Sequence, residues 1–82
     1  MYIVYVLFSP HYKKIYIGFT SDLDNRLASH NIYSKKGYTV KYRPWELAYT
    51  EKYGTKEEAM KREKQLKSAQ GRAFIWEMLS GK

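Results

Sequence analysis

The chain has 82 residues, with 44% hydrophobic residues, nine Tyr, three Phe, two Trp and no cysteine. That length holds one domain, residues 1–82, and the lack of cysteine excludes a disulfide framework and a thiolate metal site. Fifteen Lys and Arg against eight Asp and Glu leave a net charge of +7, an excess that favours a polyanionic partner.

Residues 3–8, Ile-Val-Tyr-Val-Leu-Phe, are β-branched and aromatic and predict a buried strand. The run is too short to cross a bilayer and lacks the basic leader of a signal peptide, so a soluble, cytoplasmic protein is expected. The polar cluster from Ser9 to Lys14, with Pro10 in it, predicts a turn, and Ile15 to Phe19 a second strand that closes an antiparallel hairpin. Side chains alternate along a strand, which puts Ile3, Tyr5 and Leu7 on one face.

Ser21 is the expected N-cap of a helix reaching about Ile32, with Asp22 and Asp24 in its first turn and Leu23 and Leu27 on its buried stripe. Arg26 and His30, four apart, stand beside that stripe. Ser34 to Arg43 reads as a basic loop without period. Trp45 to Tyr53 resumes strand composition behind Pro44, with Leu47 and Tyr49 alternating, until Gly54. Thr55-Lys56-Glu57-Glu58 is a capping box opening a helix to about Ala69. Gly71 breaks the pattern, and Phe74, Ile75, Met78 and Leu79 mark a short final helix. The order β-β-α-β-α-α predicts an α+β domain, a three-stranded antiparallel sheet packed by about three helices.

Tyr5, Tyr16, Gly18, Arg26 and His30 read either as ordinary strand and surface residues or as groups that carry chemistry. The hairpin brings the phenols of Tyr5 and Tyr16 near one place, where each needs a polar partner such as a phosphate or its water. Gly18 offers a close backbone approach. A guanidinium at Arg26 suits bidentate phosphate binding, and His30 titrates near neutrality. Glu63 falls on the stripe formed by Ala59, Leu66 and Ala69; a carboxylate there is costly unless it pairs with a cation such as Arg26 or Arg62, or binds metal. Lys35, Lys36, Lys41, Arg43, Lys67 and Arg72 form either a solvated surface or, interleaved with Tyr38, Tyr42 and Trp45, a track for a nucleic-acid backbone.

Tyr5, the triplet Tyr16-Ile17-Gly18, Arg26, His30 and Glu63, at this spacing, resemble the GIY-YIG nuclease domain. More narrowly they look like its small single-domain bacterial branch, related to the nuclease module of the repair excinuclease and to structure-specific junction nucleases. The resemblance runs from about Tyr2 to Trp76. It implies catalytic roles for Tyr5, Tyr16, Arg26, His30 and Glu63, with the tyrosines handling the attacking water. Glu63 would be the sole carboxylate ligand of one Mg²⁺ or Mn²⁺ ion, which keeps most of its hydration. The implied partner is the sugar-phosphate backbone of DNA, held at Gly18 and the basic set above, with a protein partner for targeting and no membrane. The implied activity is metal-dependent cleavage of branched, nicked or flap DNA in repair or recombination; the alternative is a nucleic-acid-binding module with little turnover. Three positions depart from the family: Ile3 replaces the leading Gly of the first triplet, and Phe19 stands where the repair branch carries Lys. The Asn found late in relatives has no match, Gln70 being nearest.

Overall fold

The computed structural model describes residues 1–33, 35 and 37–81, with Tyr33 as backbone alone. The apolar opening forms β1, Tyr2–Ser9, and the next apolar run forms β2, Lys14–Thr20. They pair antiparallel with Tyr5 opposite Gly18 and Leu7 opposite Tyr16. The third strand, β3, Glu46–Tyr53, pairs antiparallel on the other side of β1, so the sheet order is β2-β1-β3 and β2 is an edge. The α+β class and the antiparallel three-stranded sheet therefore hold as expected.

Strand alternation divides the core into two layers. Val4, Val6 and Ile17 lie with Ala59, Leu66 and Ile75 on one face of the sheet. On the other, Tyr5, Leu7 and Trp45 are buried against Tyr16, Leu23, Leu27 and Tyr42. The first face is covered by α3, Lys56–Lys67, and α4, Ala69–Ser80. The second is covered by α1, Leu23–Ala28, a π-helical segment Ser29–Tyr33, and a single turn α2, Tyr38–Lys41. With fourteen aromatics in so short a chain, filling two layers at once is within reach of a small core.

Several boundaries differ from expectation, each for a local reason. The N-cap of α1 is Asp22 rather than Ser21, because the Asp22 carboxylate accepts from the Asn25 N–H at 3.2 Å. The expected single helix to Ile32 widens after Ala28 into π geometry, where Arg43 donates to the carbonyls of His30 (2.6 Å) and Ser29 (3.4 Å). The loop before β3 contains α2. Trp45 stays out of the strand because the Asn31 side chain engages both its N–H (2.7 Å) and its carbonyl (3.0 Å). A β-bulge also breaks the Leu47/Tyr49 alternation: Leu47 pairs with Leu7 and Tyr49 with Val6, on opposite faces.

Thr55 caps α3 as expected, its hydroxyl accepting from the Glu58 N–H at 3.2 Å, while the Glu58 carboxylate accepts from that hydroxyl at 3.0 Å rather than from the Thr55 N–H. The break between the last helices falls at Ser68, whose hydroxyl accepts from the Gly71 N–H and caps α4. Gly71 lies inside that first turn instead of between the helices, and the final helix is correspondingly long. A Cβ there would stand 2.2 Å from the Gln65 carbonyl oxygen, so the tight corner demands glycine. Ala69, placed on the inward stripe by periodicity, is exposed because it starts the new helix.

Candidate active site

The register that puts Tyr5 opposite Gly18 has a direct consequence. A Cβ at Gly18 would lie 2.7 Å from the Tyr5 hydroxyl, so the phenol crosses the edge strand through the gap the glycine leaves. The close approach expected of Gly18 is thus made by Tyr5.

The Tyr5 hydroxyl meets His30 Nε2 at 2.9 Å, with both residues buried. His30 Nδ1 has no hydrogen-bond partner among the described residues. The rings of Tyr16 and His30 are 4.7 Å apart, and those of Tyr5 and Tyr16 6.2 Å. Burial, with Tyr16 adding to it, holds the Tyr5 phenol well above the ordinary tyrosine range, while the Arg26 charge pulls the other way. Burial likewise lowers the His30 imidazole, and the Arg26 and Arg43 cations push it further down. His30 is therefore neutral near pH 7.

Glu63, on α3 beneath the same strand edge, is close enough for its charge to act on Tyr5. Its carboxylate pairs with Lys67 one turn on, at 3.3 Å, rather than with Arg26 or Arg62. Arg62 is instead committed to Glu51, at 2.8 and 3.1 Å. The Tyr49 hydroxyl also donates to Glu51, as does that of Tyr53 at 2.5 Å. Desolvation works against the Glu51 carboxylate, but the hydrogen bonds from Arg62, Tyr49 and Tyr53 win and hold its pKa at about 2. That cluster fastens α3 to β3 one residue from Glu63.

A cleft of about 360 Å³ straddles the β2 edge, lined by Ile15, Tyr16, Ile17 and Tyr38, with Lys67 and Arg72 across from them. A second hollow of about 310 Å³ lies at Arg26, with Asn25 and Ser29. Tyr16 forms part of the wall of the first.

The structure thus brings Tyr5, Tyr16 and His30 into contact, with the charges of Arg26 and Glu63 acting on Tyr5 and Lys67 and Arg72 lining the cleft beside Tyr16. Lys35 and Lys41 are exposed on the segment leading to and through α2. Arg43 is turned inward onto the π segment, a bracing position rather than a free cation on a track. Lys36 lies outside the described residues. Asn31, which clamps Trp45, and Glu51 were not singled out from the sequence. Asn31 finds its partner 14 residues away, and Glu51 joins two neighbouring tyrosines to Arg62, 11 residues on.

Residues 1–75 match the family model described as the GIY-YIG catalytic domain. This chain belongs to the GIY-YIG family. It is 44% identical over 54 residues to a UPF0213 protein of Bacillus pumilus, spanning 66% of this chain and 55% of that protein. A UPF0213 protein of Staphylococcus epidermidis is 43% identical over 54 residues, 66% of each chain. An archaeal one, from Halobacterium salinarum, is 43% identical over 63 residues, 73% of this chain and 82% of the relative. The match thus spans little more than half of the Bacillus protein. No solved structure matches the chain. As a GIY-YIG domain it carries a nuclease fold, and among the described residues no helix is long and apolar enough to cross a membrane.

The donors at the site bear on the metal that the family implies. Among the described residues no three His, Cys, Asp or Glu gather. Glu63 is the carboxylate whose charge acts on Tyr5. One oxygen ligand with the balance supplied by water and phosphate fits Mg²⁺ or Mn²⁺, and does not fit the closed N/S cage of zinc.

Proposed function

We propose that this protein is a divalent-metal-dependent endonuclease that hydrolyses DNA phosphodiester bonds, acting on branched, nicked or flap structures in cytoplasmic repair or recombination. The observation that carries this reading is the contact of two phenols and an imidazole, Tyr5, Tyr16 and His30, beside a cleft lined by Lys67 and Arg72, with the charges of Arg26 and Glu63 acting on Tyr5. The +7 charge supports a phosphate-backbone partner.

In this reading Tyr5 and Tyr16 orient a water against the phosphorus. Burial disfavours a Tyr5 phenolate, so the proton route that keeps Tyr5 neutral runs onward: as its oxygen takes the water's proton, its own passes to His30 Nε2. The new P–O bond forms as the bond to the departing sugar oxygen breaks, and that oxygen takes a proton from solvent. Arg26 steadies the charge that develops on the phosphoryl oxygens. Glu63 would hold a divalent ion, which when bound would supply Lewis-acid polarisation of the phosphate. Lys67 and Arg72 hold flanking phosphates in the cleft.

A second reading, a nucleic-acid-binding module with little turnover, has one observation in its favour. Gln70, nearest in sequence to the missing Asn, lines a separate hollow with Arg62, Gln65 and Phe74. Cleavage of a panel of branched, nicked, flap and linear DNA, with Mg²⁺ and with EDTA, separates the two. Metal-dependent cleavage that Glu63→Gln abolishes supports the nuclease; binding without any product supports the module.

A further inference from the structure

Two tyrosines outside the proposed machinery present much of their rings to solvent: Tyr12 is 47% and Tyr38 46% exposed. Neither ring is loose. Tyr42 stands between them and meets Tyr12 edge-on at 5.4 Å and Tyr38 edge-on at 4.9 Å. Tyr38 also stacks on buried Trp45 at 5.8 Å and 29°, and donates its hydroxyl to the Ile15 carbonyl at 3.2 Å. Trp45 is fixed in turn by Asn31 and by its own indole N–H, given to the Thr39 carbonyl at 2.8 Å. Rings held this firmly have lost their rotamer freedom before any ligand arrives, so stacking on them costs little further entropy.

Cations accompany the rings. The ammonium groups of Lys14 and Lys41 lie 5.4 and 5.5 Å from the centre of Tyr42, between the two exposed tyrosines. Lys67 and Arg72 share the cleft with Tyr38. The inner end of the series is the site itself: Tyr38 lies 6.3 Å from Tyr16, and Tyr16 lies against His30. Exposed aromatic faces alternating with phosphate-binding cations is the arrangement with which proteins hold unpaired nucleic acid. A duplex fits it poorly, since its bases are already stacked and offer these rings no face.

We propose that Tyr12 and Tyr38 are stacking stations for unpaired bases of a DNA strand whose phosphates lie along Lys14, Lys41, Lys67 and Arg72 as it runs into the site. This rests on the nuclease reading and deepens it, giving the substrate a single-stranded stretch beside the cut phosphate. The station at Tyr38 lies next to the cleft. Tyr12, on the hairpin turn, reaches a base further out.

The test is binding of the full chain in EDTA, where no metal-dependent cutting occurs, to a labelled oligothymidylate of about 12 nucleotides, within the usual site size of such grooves. A duplex of equal length is the comparison. The single strand should bind more tightly than the duplex. Tyr12→Ala and Tyr38→Leu should each weaken single-strand binding about tenfold and leave duplex binding unchanged, while Tyr12→Phe and Tyr38→Phe retain the affinity. A 2-aminopurine placed in the strand should be quenched on binding the natural chain and brighten again in the Tyr12→Ala complex. Should Tyr38→Leu fail to fold, Tyr12→Ala decides alone, because its ring sits on an exposed turn. Equal losses on duplex and single strand, no loss on either, or tighter duplex binding would overturn the proposal. Absence of cleavage on every substrate, by contrast, would defeat the nuclease reading and leave this binding comparison standing.

Discussion

The Tyr5 hydroxyl and His30 Nε2 meet at 2.9 Å, and that one hydrogen bond ties the central strand to the π segment. It closes a path that starts at Gly18: only the missing Cβ opposite lets the phenol cross the strand and reach the imidazole. The glycine, the phenol and the histidine form one device, and each loses its purpose without the others.

The two tyrosines are therefore expected to behave differently on removal of the hydroxyl. Tyr5→Phe leaves a buried imidazole nitrogen without its partner and should lower stability by about 1–3 kcal/mol. Tyr16 lies on the wall of the cleft, and Tyr16→Phe should leave the melting temperature nearly unchanged. On the nuclease reading both substitutions slow turnover, roughly tenfold to a thousandfold. Thermal denaturation and single-turnover cleavage of both variants check this; a Tyr5→Phe protein as stable as the natural one contradicts it.

His30 should leave a mark on stability below neutral pH. Its folded-state pKa lies below the ordinary 6.5 through burial and the cations Arg26 and Arg43, so the unfolded chain binds the proton first. The stability it contributes is fully present above pH 6.5 and is lost as pH falls from there toward the lower folded value. His30→Gln should flatten the stability curve in that window. Urea midpoints at closely spaced pH values measure it; an unchanged slope in His30→Gln would place the titration elsewhere.

Glu51 acts in a separate, more acidic window. Its pKa falls from an ordinary 4.5 to about 2, so its contribution is present above 4.5 and lost as pH drops toward 2. Arg62→Met removes the charged donor from a partly buried carboxylate and should cost about 1–3 kcal/mol. Because Arg62 neighbours Glu63, the same substitution should also loosen the position of the Glu63 carboxylate. NMR titration of Glu51 checks the first point: a folded pKa near 4.5 would mean that the network does not hold in solution.

How much of this was legible in the sequence follows from the range of each interaction. The hairpin, and the nearness of Tyr5 and Tyr16 within it, were readable because strand alternation and turn chemistry act over a few residues. The Thr55 cap was readable for the same reason. The choice of the two tyrosines as site residues came from the resemblance to the family. The Asn31 clamp on Trp45 links positions 14 apart through a loop with no period, so no local pattern reports it. The bulge beside Leu47 reverses a face by a single inserted residue, which alternation alone cannot foresee. Glu63 was found from its place on an apolar stripe, but its partner was not. Arg26 and Arg62 were equally plausible cations until the Glu51 cluster claimed Arg62 and the helix turn offered Lys67.

That pairing sets up a competition. Lys67 holds the Glu63 carboxylate at 3.3 Å and also lines the cleft beside Tyr16. Its ammonium stands where it opposes a cation at Glu63 in the free protein, yet favours a phosphate in the bound one. The pair is partly exposed, so its own strength is modest, about 0–1 kcal/mol. Lys67→Met should therefore tighten Mg²⁺ binding to the free protein by about fivefold or less. The same substitution should weaken binding to DNA and lower the slope of affinity against salt concentration by about one phosphate contact. Glu63→Gln should instead abolish the Mg²⁺-dependent shifts of nearby amide signals while leaving the salt slope intact. The opposed signs are the informative part: a Lys67→Met protein that loses affinity for both Mg²⁺ and DNA would mean that the lysine supports the Glu63 carboxylate rather than competing for it.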